Sequence, residues 1–261
     1  MCRGKIGKFC FFVLPFAAAL FLVTCGLEDY PVIYPVHQSD ITQELNNRAV
    51  VTIRTDNAGT AFTHFAIFYR IYVSDIRVDA TTISDAAQYY TINSTLGSDY
   101  AGVNPYIDSD TLVNTNMDTF FTGRGYKYLF LNGPDIDNVL NSSVLGKTLT
   151  FYFPSQFSSG GPPTMTIGST DYILWRSTGS GTGIYTPRPD RNFVNNDDLW
   201  NPDYLNSDNN ADVVNKTGIT GSDPHYTYAA MYIVAIGIDN TNYSQIYSTP
   251  SLIHVFLLPA P

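Results

Sequence analysis

Residues 62–74 read Phe-Thr-His-Phe-Ala-Ile-Phe-Tyr-Arg-Ile-Tyr-Val-Ser, a run in which apolar residues recur at every second position. One face of such a strand carries apolar side chains only: Phe65, Ile67, Tyr69, Ile71 and Val73. The opposite face carries His64, Arg70 and Ser74. This pattern predicts a β-strand that is buried on one face and open to solvent on the other. We therefore expect His64 and Arg70 to be solvated outer-face residues rather than members of a site.

A second strong strand pattern covers residues 226–238 and ends at the turn Asp239-Asn240-Thr241-Asn242. Asp and Asn favour turns because their side chains bond to the nearby backbone. The same reasoning predicts a strand over 49–55, closed by the turn at 56–59. Two shorter strands are predicted after the late turn, at 243–247 and 252–258.

The middle of the chain alternates strand-like runs with long stretches rich in turn residues. The predicted strands are 125–131, 148–153, 164–167 and 171–176, and the predicted loops are 97–118, 158–163 and 178–183. Residues 32–34 could form a first edge strand, and 41–47 one turn of helix or a connection. Among 23 acidic residues only Glu28 and Glu44 are glutamates, while the chain holds 19 tyrosines and 16 phenylalanines. Abundant Asp and aromatic residues favour turns and strands over helices, so the composition predicts an all-β body.

The last hairpin resembles that of fibronectin type III domains. The residues that carry this resemblance are Tyr232-Ile-Val234-Ala-Ile236 and Tyr247-Ser248-Thr249-Pro250. It implies an immunoglobulin-like or fibronectin-like antiparallel sandwich over 31–261, with a long loop-rich insertion at about 76–225. It also implies that Tyr232 is a corner tyrosine, bonded to its own chain a few residues upstream. An unrelated all-β sandwich or barrel is the alternative.

The first 25 residues have the layout of an export leader. Three basic residues precede fifteen uncharged ones at 9–23, and the stretch ends in Leu22-Val23-Thr24-Cys25. Fifteen helical residues span about 22 Å, too short for the roughly 30 Å hydrocarbon core. The leader resembles bacterial lipoprotein signals. With Thr24 directly before the cysteine, it is similar to the relaxed lipoprotein signals of spirochaetes. The resemblance implies cleavage of residues 1–24, acylation of Cys25 and a short lipidated tether over 25–30. An ordinary secretory leader is the alternative.

Charge and cysteine content restrict the partners of the mature chain. The leader holds three basic residues and no acidic one, so its removal changes the net charge from −9 to −12. Such a body is repelled by phosphate backbones, so no nucleic-acid partner is expected, and membrane contact should come through the lipid on Cys25. The other cysteines, Cys2 and Cys10, leave with the leader, so no internal disulfide is expected. These features predict a lipid-anchored protein of the cell envelope.

The sequence predicts no catalytic, cofactor-binding or metal-ligating residues. Gly179-Ser-Gly-Thr-Gly183 lacks the lysine and the helix of a phosphate-binding loop. The Asp- and Asn-rich segment 190–215 contains Asp208-x-Asn210-x-Asp212, but it lacks the glycine and the glutamate of a calcium loop. We expect a solvated loop there, with an irregular calcium site as the alternative. The four histidines show no zinc-type spacing.

Aromatic side chains are spread through the loop region, at Trp175, Tyr185, Phe193, Trp200 and Tyr204. Such residues either pin long loops to the body or bind a protein or glycan. The leading functional hypothesis is a non-enzymatic, membrane-anchored binding or assembly module. One alternative is a surface-exposed adhesin that binds a host or matrix ligand. Another is a carbohydrate-binding accessory protein or enzyme.

Overall fold

The computed structural model describes residues 31–44, 47–78, 86–109, 115–154, 162–176, 213–214 and 226–258. The chain divides into two compact units, Met1–Val32 and Ile33–Pro261. All the helices and strands described belong to the second unit. They form two predominantly antiparallel sheets and a helical layer.

Sheet 1 contains six short strands that are antiparallel throughout. In spatial order they are β1 (Ile41–Glu44), β2 (Arg48–Thr52), β6 (Thr148–Tyr152), β7 (Thr164–Ile167), β8 (Thr170–Trp175) and β5 (Phe130–Leu131). Strand β2 pairs with β6, from Arg48 opposite Tyr152 to Thr52 opposite Thr148. Four of the six strands therefore come from the stretch predicted as a loop-rich insertion.

Sheet 2 is built on two 13-residue strands, β3 (Phe62–Ser74) and β10 (Tyr226–Ile238). They pair antiparallel along their whole length, from Ser74 opposite Tyr226 to Phe62 opposite Gly237. Four shorter strands flank this pair: β4 (Lys127–Tyr128), β9 (Val213–Val214), β11 (Gln245–Tyr247) and β12 (Ser251–Leu258). Strands β4 and β9 lie beside β3, whereas β11 and β12 lie beside β10.

The two sheets enclose an apolar core. The predicted inner face of β3, from Phe65 to Val73, packs there together with Ala229, Met231 and Ile233 of β10. Leu149 and Phe151 of β6 face them from sheet 1. The alternation read from the sequence is confirmed for this face, because every second residue of β3 points into one core.

The other face of sheet 2 is covered by helices. The helices described are α1 (Ala86–Ile92), α2 (Ser94–Val103), α3 (Met117–Thr122) and the short α4 (Ile136–Val139), with 3-10 turns at Gln38–Asp40, Asn104–Tyr106 and Ser142–Val144. Phe68 and Tyr232 of sheet 2 pack in a second core with Leu96, Met117 and Phe121 of this layer. The expectation that β3 is open to solvent on one face is therefore wrong.

Asparagine caps begin the two main covering helices. The Asn93 side chain accepts hydrogen bonds from the Thr95 and Leu96 amides, at 2.9 and 3.2 Å, and its own amide donates to the Val73 carbonyl. Asn116 caps α3 by accepting from the Thr119 amide at 3.0 Å. Such caps satisfy backbone donors that a helix start leaves unpaired. The described residues of the predicted loop at 97–118 are thus largely helical.

The sheets are joined on both sides. On one side the chain leaves sheet 2 after Tyr128 and enters sheet 1 at Phe130. On the other side Gln38 makes two hydrogen bonds to the backbone of Leu252 in β12, donating at 2.9 Å and accepting at 3.0 Å. The Gln38 side chain thereby pairs with backbone groups at the edge of β12 that would otherwise be unpaired.

Most predicted strands are confirmed, with β3, β7 and β10 matching the predicted bounds. Two predictions near the start are wrong. Residues 32–34 form no strand, and the first strand instead lies at Ile41–Glu44, within the stretch expected to be a helical turn or a connection. Within the described part of the chain, no helix is both long and apolar enough to cross a membrane.

Candidate functional site

A cleft of about 390 Å³ opens on the helix-covered face of sheet 2, at the end where β3 begins. Its floor is formed by His64 and Ile236, which are paired residues of β3 and β10, and by Gln245 of β11. The remaining lining residues come from the chain around α3, β4, β5 and α4: Asp118, Tyr128, Leu129, Phe130, Asp135, Ile136, Asp137 and Asn138. The volume lies within the range of small-ligand sites.

One wall holds Asp118, which α3 positions through the Asn116 cap and through burial of the neighbouring Met117. The hydroxyl of Tyr128 donates a hydrogen bond to Asp118. The Tyr247 hydroxyl lies 2.9 Å from Asp118 Oδ2 and 2.7 Å from Gln245 Oε1. Because two phenols from different strands contact one carboxylate, the Asp118 side chain has a fixed position in the cleft.

The opposite wall is the chain around α4. Its buried residue, Ile136, packs in the core between the sheets, and this directs Asp135 and Asp137 outward. Asp137 Oδ1 lies 3.4 Å from His64 Nε2. After the helix, the Leu140 carbonyl accepts from the Phe65 amide at 2.9 Å, which joins this wall to the start of β3.

The ring of His64 is largely buried, and its Nδ1 lies 3.0 Å from the Thr63 hydroxyl. Burial lowers the pKa of His64 below its ordinary value, while Asp137 and Asp118 act in the opposite direction with smaller effect. The imidazole is therefore mainly neutral near pH 7. Because three aspartates line the cleft and none of its described lining residues is Lys or Arg, its field is negative.

This arrangement can hold a group that donates hydrogen bonds or carries positive charge. The described lining residues include no Ser, Thr or Cys, the residue types that supply most hydroxyl and thiol nucleophiles. Across the described residues, no three side chains of His, Cys, Asp or Glu are placed to hold a metal ion.

A second polar cluster lies between sheet 2 and α2, and it joins layers rather than opening to solvent. Arg70 Nη1 donates to Asp99 Oδ2 at 2.6 Å, and the Tyr72 hydroxyl donates to the same oxygen at 2.6 Å. The hydroxyls of Tyr72 and Tyr126 share a further hydrogen bond at 3.0 Å. Burial and the nearby Asp99 raise the pKa of Tyr72 well above its usual value, and burial likewise raises the pKa of Tyr126.

The residues singled out from the sequence have separate locations. His64 lies in the cleft, Arg70 in the buried cluster, and Trp175 is half-buried in β8. The hydroxyl of Tyr232 bonds to Tyr126, not to backbone a few residues upstream. Cys25, the leader, the Gly-rich loop 179–183 and the other loop aromatics lie outside the described residues, as does the 190–215 segment apart from Val213 and Val214.

Most residues of the cleft lining carry no clear functional signal in the sequence. Asp118 lay in a predicted loop, and Asp135 and Asp137 followed a Gly-Pro pair that indicates only a turn. Their proximity to His64 and Gln245 depends on how four distant segments pair. The local signal available was the cap at Asn116, three residues before the backbone amide that it bonds.

No protein-family model, curated protein or solved structure matches this chain.

Proposed function

We propose that this protein is a lipid-anchored component of a bacterial cell envelope that acts as a non-enzymatic binding or assembly module. The observation that carries the binding part is the cleft of about 390 Å³, which stays open on a sheet face that helices otherwise cover. The anchoring part rests on the leader, whose short uncharged stretch ends at Cys25. The similarity of this leader to the lipoprotein signals of spirochaetes is the reason for proposing a bacterial source.

The partner group for the cleft is proposed to be cationic or rich in hydrogen-bond donors. Asp118 is held in place by two phenols, and Asp135 and Asp137 extend from the opposite wall. A lysine or arginine side chain of a partner protein, or an amino sugar, has the matching chemistry. The body's excess of acidic residues would steer such partners toward it.

Anchoring is tested by Cys25→Ala in cells that express the full chain. The variant should be exported and folded but should enter the aqueous phase on detergent partitioning, because Cys25 is proposed to carry the lipid. Ser39→Ala, at an exposed residue of the folded body, is the matched control and should partition like the wild type. A Cys25→Ala protein that stays in the detergent phase would mean that residues 9–23 act as an uncleaved anchor.

Binding is tested by crosslinking and affinity capture from intact envelopes with Asp135→Asn/Asp137→Asn. Both residues are exposed, so the double variant should fold normally yet lose partners that the wild type captures. Asp56→Asn/Asp75→Asn makes the same change in charge at exposed positions outside the cleft lining and should capture the wild-type set. Equal capture by the two double variants would show that the cleft is not the binding site.

The finer fold assignment, an immunoglobulin-like or fibronectin type III-like sandwich, is also a proposal. It is supported by the hairpin of β10 and β11 and by the β12 strand that follows in the same sheet. An experimental structure of the whole chain tests it. Superposition of β3, β10, β11 and β12 on a fibronectin domain with matching connections would support the assignment, and a different connection order would reject it.

One observation favours a second candidate, a carbohydrate-binding accessory protein or enzyme: His64 and three carboxylates converge in the cleft. Carboxylate pairs are the usual acid and base groups in glycoside hydrolysis, and histidine is a common general acid or base in other enzymes. Incubation of the full chain with envelope glycans tests this candidate. Product formation that Asp118→Asn abolishes would support the enzyme, and unchanged glycans would favour the binding module.

Protease treatment of intact cells would show whether the protein is exposed, as the adhesin hypothesis requires.

A further inference from the structure

Three exposed apolar side chains lie at one end of sheet 2. Tyr243 is 83% exposed, Tyr34 is 42% exposed and Ile238 is 39% exposed. Ile238 ends β10 and Tyr243 lies in the turn that follows it, while Tyr34 belongs to the chain that enters the folded unit. We name this surface of Tyr34, Ile238 and Tyr243 the entry end. Tyrosine has an apolar ring and a polar hydroxyl, the combination found where proteins meet the interface of a bilayer.

The incoming chain is fixed to this end of the sheet. Tyr34 makes two hydrogen bonds with Asn57, whose buried side chain accepts from the Tyr34 amide and donates to the Tyr34 carbonyl, both at 2.8 Å. Ile33 packs against Gly237, where an added Cβ would lie 2.5 Å from Ile33 Cδ1 and 2.6 Å from the Ala61 carbonyl oxygen. The chain therefore leaves the folded unit beside the turn that carries Tyr243.

The turn holds Tyr243 in a fixed and uncommon conformation. Its φ is 58°, in the left-handed region that few residues with a side chain adopt. The Tyr243 amide donates to the Asp239 carbonyl at 2.8 Å, and the Asp239 carboxylate accepts from the Thr241 amide at 2.7 Å. A bulky ring presented outward at the cost of backbone strain points to a contact outside the folded unit.

The distance to the proposed lipid is short. Ile33 lies eight residues after Cys25, and eight residues reach at most about 28 Å when fully extended. A folded domain of this length has a radius of gyration of roughly 17 Å, so its far side cannot easily turn toward the bilayer. Anchoring at Cys25 therefore favours an orientation in which the entry end faces the membrane.

We propose that the entry end rests on the bilayer interface, with Tyr34, Ile238 and Tyr243 among the lipid headgroups. This inference depends on the proposed lipid anchor and adds a defined orientation to it. The partner is a neutral lipid surface, because the excess of acidic residues disfavours anionic headgroups. The cleft, lined by Gln245 two residues beyond Tyr243, would then open close to the membrane.

The test uses the lipidated full chain reconstituted into phosphatidylcholine vesicles that contain a lipid with a nitroxide headgroup. The mature chain has no cysteine other than Cys25, so Tyr243→Cys and Tyr34→Cys each give one site for a fluorescent label. Tyr152→Cys is the matched control, since Tyr152 is 39% exposed and pairs with Arg48 at the start of β2, away from the entry end. Labels at positions 243 and 34 should be quenched several-fold more strongly than the label at 152.

Three results would overturn the inference, and they are distinguishable. Vesicle-bound protein with equal quenching at 243, 34 and 152 would leave the anchor intact but reject the orientation. Protein that does not float with vesicles, and whose Cys25 carries no acyl chain by mass spectrometry, would reject the anchor and the orientation together. A label at 243 that is shielded from water-soluble quenchers but is not quenched by the nitroxide lipid would indicate that a protein covers this position. That result would also reject the proposal.

Discussion

The two faces of β3 differ in how they are buried. The face toward sheet 1 is apolar from Phe65 to Val73, whereas the face toward the helices combines Phe68 with Arg70 and Tyr72. On the first face, water is excluded by apolar packing alone. On the second face, the charge of Arg70 is paired with the Asp99 carboxylate of α2, which lowers the cost of burying it, while Arg70 Nε makes no hydrogen bond to the described residues. A charged residue in an alternating strand therefore does not by itself indicate a solvated face.

The largest expected effect comes from placing a carboxylate in either core. Ile67→Asp between the sheets and Val234→Asp beneath the helices should each lower the free energy of unfolding by more than about 4 kcal/mol, because both side chains are buried without a charged partner. Urea denaturation checks this. Thr52→Asp, at an exposed position of β2, should cost less than about 1 kcal/mol. A mild effect of Val234→Asp alone would mean that the helical layer does not cover β10.

The next largest loss of stability is expected at Arg70, and Arg48 provides the comparison because each arginine faces a carboxylate. Arg70→Asp would place two carboxylates together in a largely buried site and should cost about 3 kcal/mol or more. Arg48→Asp, beside Glu44 in an ion pair about half exposed, should cost less than about 1 kcal/mol. Thermal and urea unfolding of both variants gives the comparison. Similar losses for the two would mean that Arg70 is solvated, as its position in the alternating run suggests.

Alkaline pH should weaken the helix-covered face selectively. Burial raises the pKa of Tyr72, Tyr89, Tyr126 and Tyr232 above the ordinary value near 10. These phenols stay protonated in the folded protein while the unfolded chain ionises, so stability is complete below pH 10 and is lost as pH rises above it. Each buried tyrosine adds a slope of about 1.4 kcal/mol per pH unit.

Urea unfolding between pH 8 and 11.5 measures that slope. Tyr126→Phe should reduce it by the contribution of one tyrosine. Tyr243→Phe, at a side chain outside both cores, should leave the slope unchanged. If the stability of the wild type is flat up to pH 11, the phenols of the second core are in contact with water.

The smallest effect concerns the edge of the helix-covered face, at the cleft. Burial lowers the pKa of His64, so the unfolded chain takes up a proton at higher pH than the folded protein does. Stability should therefore fall slightly as pH drops through about 6.5, where an ordinary histidine titrates. His64→Gln should remove this part of the acid dependence, measured by urea unfolding between pH 5 and 8. A rise in stability on acidification would show that Asp137 outweighs burial.

The sequence predicts strands well where both a long alternating run and flanking turn residues are present. The bounds of β3 and β10 follow from such runs, and so does the apolar face of β3. The helices were harder to foresee, because α2 contains Ser, Thr, Gly and Asp, which are modest helix formers. Its stability comes from the Asn93 cap and from packing of Leu96 and Val103 on sheet 2, and only the folded chain supplies that surface.

The cleft could not be predicted from local patterns. His64 lies between Thr63 and Phe65 in an aromatic-rich run that contains no carboxylate. Only the pairing of β3 with β10 and the path of the chain through α3 and α4 place carboxylates around it. The partner of Arg70 could not be predicted from local patterns either. That partner, Asp99, lies 29 residues away in a helix that the sequence did not predict.

A double-mutant cycle on Arg70 and Asp99 tests most directly whether sheet 2 is covered on both faces. Arg70→Ala, Asp99→Ala and the double variant are compared by urea unfolding with the matching set at Arg48 and Glu44. We predict a coupling energy of about 2 kcal/mol or more for the buried pair and less than about 0.5 kcal/mol for the exposed pair. Equally small coupling energies in the two cycles would show that Arg70 and Asp99 are solvated and that the helices do not cover this face of sheet 2.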